Sequence, residues 1–128
     1  MFSADSTKEW FKSFTDGYRV EGALHPMLEL KLRHSRRVSA ICSAIADSMG
    51  WNEYGDSWLA LTAGLLHDVG RFPQYSMYGT FFDSASVDHG CLGAEIITEK
   101  FDWEGIPENF KDNIISAVRF HNKKTLPS

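Results

Sequence analysis

The sequence predicts an all-α protein, a bundle of about five main helices in a single domain that spans residues 1–128. Three observations support this fold class. Apolar residues recur at three- and four-residue spacing along most of the chain, and no segment alternates apolar and polar residues as a half-buried strand does. Glycine and proline fall singly between the periodic segments, where they end helices. A chain of 128 residues can bury a sizeable core but is too short for two ordinary domains.

The first two helices are predicted from their apolar faces. A short helix runs from near Thr7 to Thr15, and Gly17 ends it. A long helix extends from about Met27 to Met49, and Gly50 closes it. Residues at helical spacing form the inward stripe of the long helix: Met27, Leu30, His34, Val38, Ile41 and Ile45. We therefore expect His34 to lie on the core-facing side.

The third helix ends at a histidine and an aspartate. It runs from about Ser57 to Asp68, after a turn in the sequence WNEYGD, and Gly70 stops it. His67 and Asp68 thus lie at the end of an apolar helix. Their burial there is costly unless a helix cap or a metal ion satisfies them.

The sequence of the second half of the chain predicts a long connecting segment and two more helices. The aromatic-rich segment from Phe72 to Ser86 contains one helical turn around Gln74 to Tyr78, and connections of this length are often functional. A fourth main helix extends from Val87 to Phe101. A fifth runs from Pro107 to about His121, with proline in its first turn. Its inward stripe comprises Phe110, Ile114, Ala117, Val118 and His121.

The composition indicates a globular protein and excludes several classes of function. The sequence is 43% hydrophobic and 23% charged, which is typical of folded domains. No run approaches the roughly 20 apolar residues that span a bilayer, and the N-terminus has no basic region followed by an apolar stretch. A net charge of -4 argues against binding to a nucleic acid duplex. We expect a cytoplasmic protein that binds neither membranes nor duplexes.

Four histidines lie on helices that also carry core residues: His34, His67, His89 and His121. A single histidine on an apolar face is usually a satisfied core or cap residue, but one shared site explains four of them with one cause. Helical bundles often build metal sites in this way. Imidazole and carboxylate ligands suit Mn, Fe, Co, Ni or Zn better than Mg alone, and the carboxylate of Asp68 can bridge two ions. The pattern predicts one or two divalent metal ions.

Four segments resemble the HD-domain superfamily of metal-dependent phosphohydrolases, which is named for its His-Asp pair. They are LRHSRRVS around His34, GLLHDVGRF around His67 and Asp68, SVDHGCLGAEII around His89, and AVRFHN around His121. The resemblance covers roughly residues 26–122 and implies a compact HD-domain helical bundle with metal ions at its centre.

The resemblance also implies a division of the metal ligands into two sites that share Asp68. His34 and His67 bind the first ion together with Asp68. His89 and His121 hold the second ion, to which Asp68 forms the bridge.

The sequence departs from the family pattern near its C-terminal end. A distal aspartate usually completes the first site in the family, but nothing after Asp112 is acidic. We therefore expect the domain to lack one or more C-terminal helices of the family. The stripe of Ile114, Val118 and His121, with parts of the face from Leu30 to Ile45, is then left open as an apolar patch. Such a patch predicts either a homo-oligomer or a longer protein whose next helix covers it.

Two arginines are candidates for phosphate binding. Arg37 lies one turn from His34 on the same side of its helix, and Arg71 follows the His-Asp pair. A guanidinium group can hold a phosphate through two hydrogen bonds. A solvated helix face accounts better for the other basic residues near His34, which are Lys31, Arg33 and Arg36.

Two aspartates precede His89 and have competing interpretations. Asp83 and Asp88 either orient ligand histidines or cap the following helix, and capping is favoured for Asp88. Either of them could alternatively take the place of the absent distal aspartate.

The predicted function is hydrolysis of a phosphomonoester or phosphodiester, such as a nucleotide, by metal-activated water. Asp68 is the shared metal ligand in the reaction, and Arg71 and Arg37 are the candidates that neutralise the phosphoryl oxygens. The substrate is a small phosphorylated molecule. Two alternatives stay open: a di-iron oxygenase, because the same ligand set resembles the oxygenases of the superfamily, and a degenerate module that binds a nucleotide or a partner protein without catalysis.

Overall fold

The computed structural model describes residues 2–50 and 55–122, and it confirms the all-α fold class. Within these ranges the chain forms no strand. Residues 51–54, which belong to the predicted turn in WNEYGD, lie outside the described part. The helices in chain order are α1 (Ala4–Asp16), α2 (Pro26–Ser48), α3 (Asp56–Leu66), α4 (Arg71–Tyr78), α5 (His89–Lys100) and α6 (Glu108–Phe120), with a 3₁₀ turn at Asp83–Ala85 between α4 and α5. None of the described helices is long and apolar enough to cross a lipid bilayer.

The core surrounds α3, which contacts α1, α2 and α6. A helix that is apolar on most of its sides is stable only when other helices cover those sides, and α3 has this composition. Leu65 and Leu66 of α3 are buried, and residues from every other helix complete the core, including Phe11, Leu28, Phe72, Ile97, Ile114 and Val118.

The buried face of α2 differs from the predicted stripe. Met27, Leu30, Ile41 and Ile45 are 36–55% exposed, whereas the buried residues are Leu28, Leu32, Ser35, Ser39 and Ala46. The reason is that α2 meets α3 through small side chains. Ser39 donates a hydrogen bond of 2.8 Å to the carbonyl of Leu61, and a Cβ on Gly64 would lie only 3.0 Å from the Cα of Ser39. The large apolar residues of α2 therefore do not mark its buried face. His34 lies at the edge of that face.

The junction between α3 and α4 also differs from the prediction. Helix α3 ends at Leu66, and the segment predicted as a loop with one helical turn forms the two-turn helix α4. Gly70 has an ordinary φ of -63°, so it does not stop α3 through a left-handed conformation. A Cβ at Gly70 would instead collide with the backbone carbonyl of His89. The glycine is required because the turn that carries Asp68 packs directly on α5.

Helices α5 and α6 approach each other closely at a second glycine. A Cβ on Gly90 would lie 2.6 Å from the carbonyl oxygen of Arg119, so only glycine fits there without displacing backbone. This contact brings the start of α5 to the end of α6, and hence His89 to His121. Ile114 and Val118 are fully buried in the same packing. The expectation that these two residues form an open patch is therefore wrong, although Leu30, Ile41 and Ile45 on α2 are exposed.

Candidate metal centre

Four histidines surround the carboxylate of Asp68, which lies in the turn between α3 and α4. Oδ2 of Asp68 is 3.6 Å from Nε2 of His34 and 3.3 Å from Nε2 of His67. Oδ1 is 3.3 Å from Nε2 of His89 and 3.1 Å from Nε2 of His121. Each carboxylate oxygen thus faces one pair of imidazole nitrogens. We name them the His34–His67 pair and the His89–His121 pair.

The division into pairs matches the grouping of ligand atoms that could hold a metal ion. His34, His67 and Asp68 have potential ligand atoms within 4.8 Å of one another, and so do Asp68, His89 and His121. The structure therefore brings together all five side chains that the sequence predicts as metal ligands. In the described part of the chain, no other histidine, cysteine or acidic residue joins either group.

Hydrogen bonds at Nδ1 fix the orientation of three of the histidine rings. Nδ1 of His67 and Nδ1 of His121 lie 2.6 and 2.7 Å from the backbone carbonyl oxygen three residues earlier. Nδ1 of His89 lies 2.9 Å from a carboxylate oxygen of Asp83. Carbonyl and carboxylate oxygens can only accept, so each Nδ1 carries a proton and donates it. In the neutral ring, Nε2 is then an unprotonated lone pair.

These lone pairs point at one another and at the carboxylate. The Nε2 atoms of His89 and His121 are 2.9 Å apart, and both lie near Oδ1 of Asp68. Nitrogen lone pairs at this distance repel each other unless a cation lies between them. The arrangement therefore requires either extra protons or a metal ion, and neutral imidazole with carboxylate is the ligand set that suits a divalent transition metal.

The electrostatics of Asp68 support a bound cation. The residue is only 4% exposed. Burial alone raises the pKa of this carboxyl group, but hydrogen bonds from His121, His67 and His89 hold it well below its usual range. Asp68 is therefore ionised at any physiological pH. A buried anion is stable only beside compensating positive charge, which the histidines can supply through protons or through a metal that they share.

The two histidines of the His34–His67 pair have pKa shifts in opposite directions. Burial lowers the pKa of His34, and the charge of Asp68 only partly offsets this effect. Burial also lowers the pKa of His67, but the hydrogen bond and the charge of Asp68 outweigh it, so that the pKa is raised. A proton and a metal ion therefore compete more directly at His67 than at His34.

Asp83 supports His89 from the side opposite to Asp68. Its carboxylate accepts hydrogen bonds from Nε2 of Gln74 at 2.8 Å and from Nδ2 of Asn122 at 3.0 Å, in addition to the bond from His89. Burial raises the pKa of Asp83, but the bonds from His89 and Gln74 hold it below its usual range. Asp83 thus fixes the ring of His89, and it joins neither group of potential metal ligands.

Asp88 has the capping role that the sequence favours. Its carboxylate accepts a hydrogen bond of 3.0 Å from the backbone N–H of Cys91 at the start of α5. The cap positions the first turn of α5, to which His89 belongs.

The two candidate arginines occupy different environments. Nη1 of Arg71 donates to the backbone carbonyl of Phe81 at 2.6 Å and approaches Asp83 at 3.3 Å. Nε of Arg71 is buried without a hydrogen-bond partner and lies 3.9 Å from Oδ1 of Asp68. Arg37 is exposed on α2. Burial is the main cause that lowers the pKa of His34, and the charge of Arg37 adds a smaller contribution in the same direction.

Lys31 is the residue near the site that the sequence interpretation missed. Its Nζ is 3.9 Å from Oδ2 of Asp68 and 5.1 Å from the centroid of the Phe81 ring. The expectation that Lys31 belongs to a solvated face is therefore wrong, whereas Arg33 and Arg36 are exposed as expected. Its sequence position could have indicated this role, because Lys31 precedes His34 by one helical turn and therefore lies on the same side of α2.

Comparison with known proteins gives one family. The family model of the HD domain matches residues 32–128, a range that contains all five converging side chains. No solved structure matches the chain at a significant level.

Proposed function

Because the chain belongs to the HD-domain family, whose members bind divalent metal ions and are generally phosphohydrolases, we propose that it hydrolyses a phosphomonoester or phosphodiester such as a nucleotide. The observation that carries this proposal is the position of Asp68. Each of its two oxygens faces a separate pair of Nε2 atoms, which is the arrangement that a carboxylate shared by two metal ions requires.

The donor set fits the metal ions that the family implies. In this proposal His34, His67 and Asp68 hold one ion, and Asp68, His89 and His121 hold the other. Four imidazole nitrogens favour Mn, Fe, Co, Ni or Zn over Mg. A bound divalent ion lowers the pKa of a coordinated water and neutralises charge on phosphoryl oxygens.

The remaining residues of the site bind and orient the substrate in this proposal. The orphaned Nε of Arg71 lies beside Oδ1 of Asp68 and can donate to a phosphoryl oxygen there. Arg37, on the exposed side of α2, attracts the anion to the site. His34 is 36% exposed, while His89 is 2% exposed. The substrate therefore enters from the side of His34.

A di-iron oxygenase is a second candidate, because four imidazole ligands around one shared carboxylate also suit iron. A non-catalytic binding module is the third, since the described residues supply no further carboxylate to either pair. The three candidates differ in metal content and in turnover, so one purified sample can distinguish them.

The experiment is elemental analysis of protein purified without chelators, followed by hydrolysis assays with p-nitrophenyl phosphate and bis-p-nitrophenyl phosphate under Mn, Co, Ni, Zn and Mg. We expect one or two transition metal ions per chain and metal-dependent release of nitrophenol. Bound iron with an oxygen-dependent reaction and no hydrolysis would favour the oxygenase. Absence of turnover with every metal, alongside retained nucleotide binding, would favour the module.

A further inference from the structure

Lys31 is a cation beside the candidate metal centre and does not belong to either group of potential metal ligands. Its Nζ lies 3.9 Å from Oδ2 of Asp68, the same oxygen that faces His34 and His67. Its side chain is 22% exposed, whereas Arg33 on the same helix is 72% exposed. Asp68 supplies the counter-charge that a half-buried ammonium group requires, so the ammonium group of Lys31 needs another partner once a metal ion occupies that oxygen.

The ring of Phe81 contacts this lysine and an arginine at the same time. Nζ of Lys31 is 5.1 Å from the ring centroid, and Cζ of Arg71 is 5.5 Å from it. The two cations also approach different oxygens of Asp68, since Lys31 is next to Oδ2 and Nε of Arg71 is next to Oδ1. Each pair of histidines therefore has its own cation, and one aromatic ring packs against both.

The ammonium group of Lys31 is paired with Asp68 by charge but makes no hydrogen bond among the described residues. At 3.9 Å it is too far from Asp68 for a hydrogen bond, and none of the described residues accepts one from Nζ. A divalent ion on Oδ2 would repel the ammonium group, and the flexible lysine side chain allows it to turn away from the carboxylate. An anionic oxygen bound at the His34–His67 pair is then its nearest partner.

The charges of the site indicate which anion this is. Lys31 and Arg71 balance Asp68 and Asp83, so bound divalent ions leave the site with an excess of positive charge. Such a site suits the dianion of a phosphomonoester better than the monoanion of a phosphodiester.

We propose that Lys31 binds a non-bridging oxygen of the substrate phosphate at the His34–His67 pair, and that it makes the site selective for terminal phosphomonoesters over phosphodiesters. The inference rests on the proposed function, because it names the substrate class of the same centre. Lys31 is a specificity-determining residue in this role, and Phe81 positions its ammonium group through a cation–π contact.

The test compares Lys31→Met with the matched control Arg33→Met, which removes the same charge from an exposed position of the same helix. Calorimetry measures the binding of Mn²⁺ alone, and then of inorganic phosphate and of dimethyl phosphate to the Mn²⁺-loaded protein. In Lys31→Met we expect Mn²⁺ affinity to stay the same or rise, because a repelling charge is gone. Phosphate affinity should fall by about tenfold or more, and dimethyl phosphate affinity by less than about threefold. Arg33→Met should behave as wild type, and Lys31→Arg should restore phosphate binding in part.

The outcomes separate this inference from the proposed function. Unchanged phosphate affinity in Lys31→Met, with Mn²⁺ bound and esters hydrolysed, would overturn the role of Lys31 alone. Lost Mn²⁺ binding in Lys31→Met would also overturn it, since the lysine would then be supporting the metal site. If wild-type protein binds Mn²⁺ and phosphate through Lys31 but hydrolyses neither ester, the inference stands and the proposed catalysis fails. A wild-type protein that binds no Mn²⁺ would overturn both.

Discussion

The two histidine pairs share one carboxylate but are built differently. In the His89–His121 pair, both rings have a hydrogen-bond acceptor at Nδ1, and Asp83 behind His89 is itself held by Gln74 and Asn122. In the His34–His67 pair, His34 is partly exposed and no protein group among the described residues accepts a bond from its Nδ1. The first pair is therefore oriented before a metal arrives, whereas His34 of the second pair is 36% exposed and has no such orienting bond within the described part of the chain. Preorganised ligands lose less entropy on binding, so we expect a tight ion at the first pair and a weaker, exchangeable ion at the second.

Removal of the Asp68 carboxylate gives the largest expected effect, because Asp68 belongs to both candidate metal sites. Asp68→Ala should abolish binding of both ions and reduce phosphoester hydrolysis to background. Asp68→Asn keeps the shape of the side chain but lacks the negative charge, and it should bind metal only weakly. Mn²⁺ titration and a nitrophenyl phosphate assay measure the two effects. Activity of Asp68→Ala equal to that of wild type would contradict metal-dependent hydrolysis at this site.

Substitution of one histidine in each pair tests whether the two pairs bind Mn²⁺ with different affinities. His121→Ala should remove the tight step of a two-step Mn²⁺ titration, and His34→Ala should remove the weak step. These two residues are a matched pair, because both side chains are partly exposed and neither fills the core. Thermal unfolding of each apo variant controls for misfolding. If the two variants lose the same step, the proposed difference between the pairs is wrong.

Substitution of Asp83, which accepts a hydrogen bond from His89, tests how the orientation of this histidine affects the tight ion. Asp83→Ala should weaken the tight ion by about 10- to 100-fold, which is the usual cost of losing a carboxylate that orients a metal-bound histidine. Asp83→Asn should lie between this variant and wild type, since its amide oxygen still accepts from Nδ1 of His89 without a negative charge. The weak step should be unchanged in both variants, and Mn²⁺ titration resolves the two steps. A loss confined to the weak step would contradict the assignment of Asp83 to the His89–His121 pair.

Much of this architecture could be predicted from the sequence, because it depends on local patterns. Helical spacing and single glycines give the existence and order of the main helices, and four histidines in four helical segments indicate one centre. The buried face of α2 could not be predicted, because Ser35 and Ser39, which carry no hydrophobic signal, allow α3 to approach.

Contacts between segments that are distant in the sequence could not be predicted either, because they also depend on how the helices pack. Lys31 meets Phe81, and Asp83 meets Asn122, only after the helices have packed. No periodicity connects such residues along the chain. The role of Gly70 was likewise hidden, since its cause is the nearby carbonyl of His89 and not its own backbone angle.

Lower pH should weaken metal binding at the His34–His67 pair. The pKa of His67 is raised, since its bond to Asp68 outweighs burial, so His67 takes up a proton earlier than an ordinary histidine as the pH falls. A protonated Nε2 cannot bind a metal, and affinity at the His34–His67 pair should drop by up to about tenfold per pH unit below that pKa. Mn²⁺ titrations at several pH values measure this dependence. The weak step should decline as the pH falls through the raised pKa of His67, and a weak step without this dependence would contradict the role of His67 as a ligand.

The smallest effect on metal binding is expected from substitution of Arg71, which lies next to both Asp68 and Asp83. Its Nη1 approaches Asp83, and its unpartnered Nε lies beside Oδ1 of Asp68. If Arg71 only braces Asp83, Arg71→Ala will weaken the tight ion by about 10- to 100-fold, as Asp83→Ala does. We expect instead that Gln74 and Asn122 keep Asp83 in place, so that Mn²⁺ affinity changes by less than about threefold while kcat/KM for a phosphomonoester falls about 100-fold. Arg71→Lys, which keeps the charge but not the forked donor, should recover only part of kcat/KM. Parallel measurement of Mn²⁺ affinity and steady-state kinetics separates the two roles, because a residue that only braces Asp83 cannot lower kcat/KM about 100-fold while Mn²⁺ affinity stays the same.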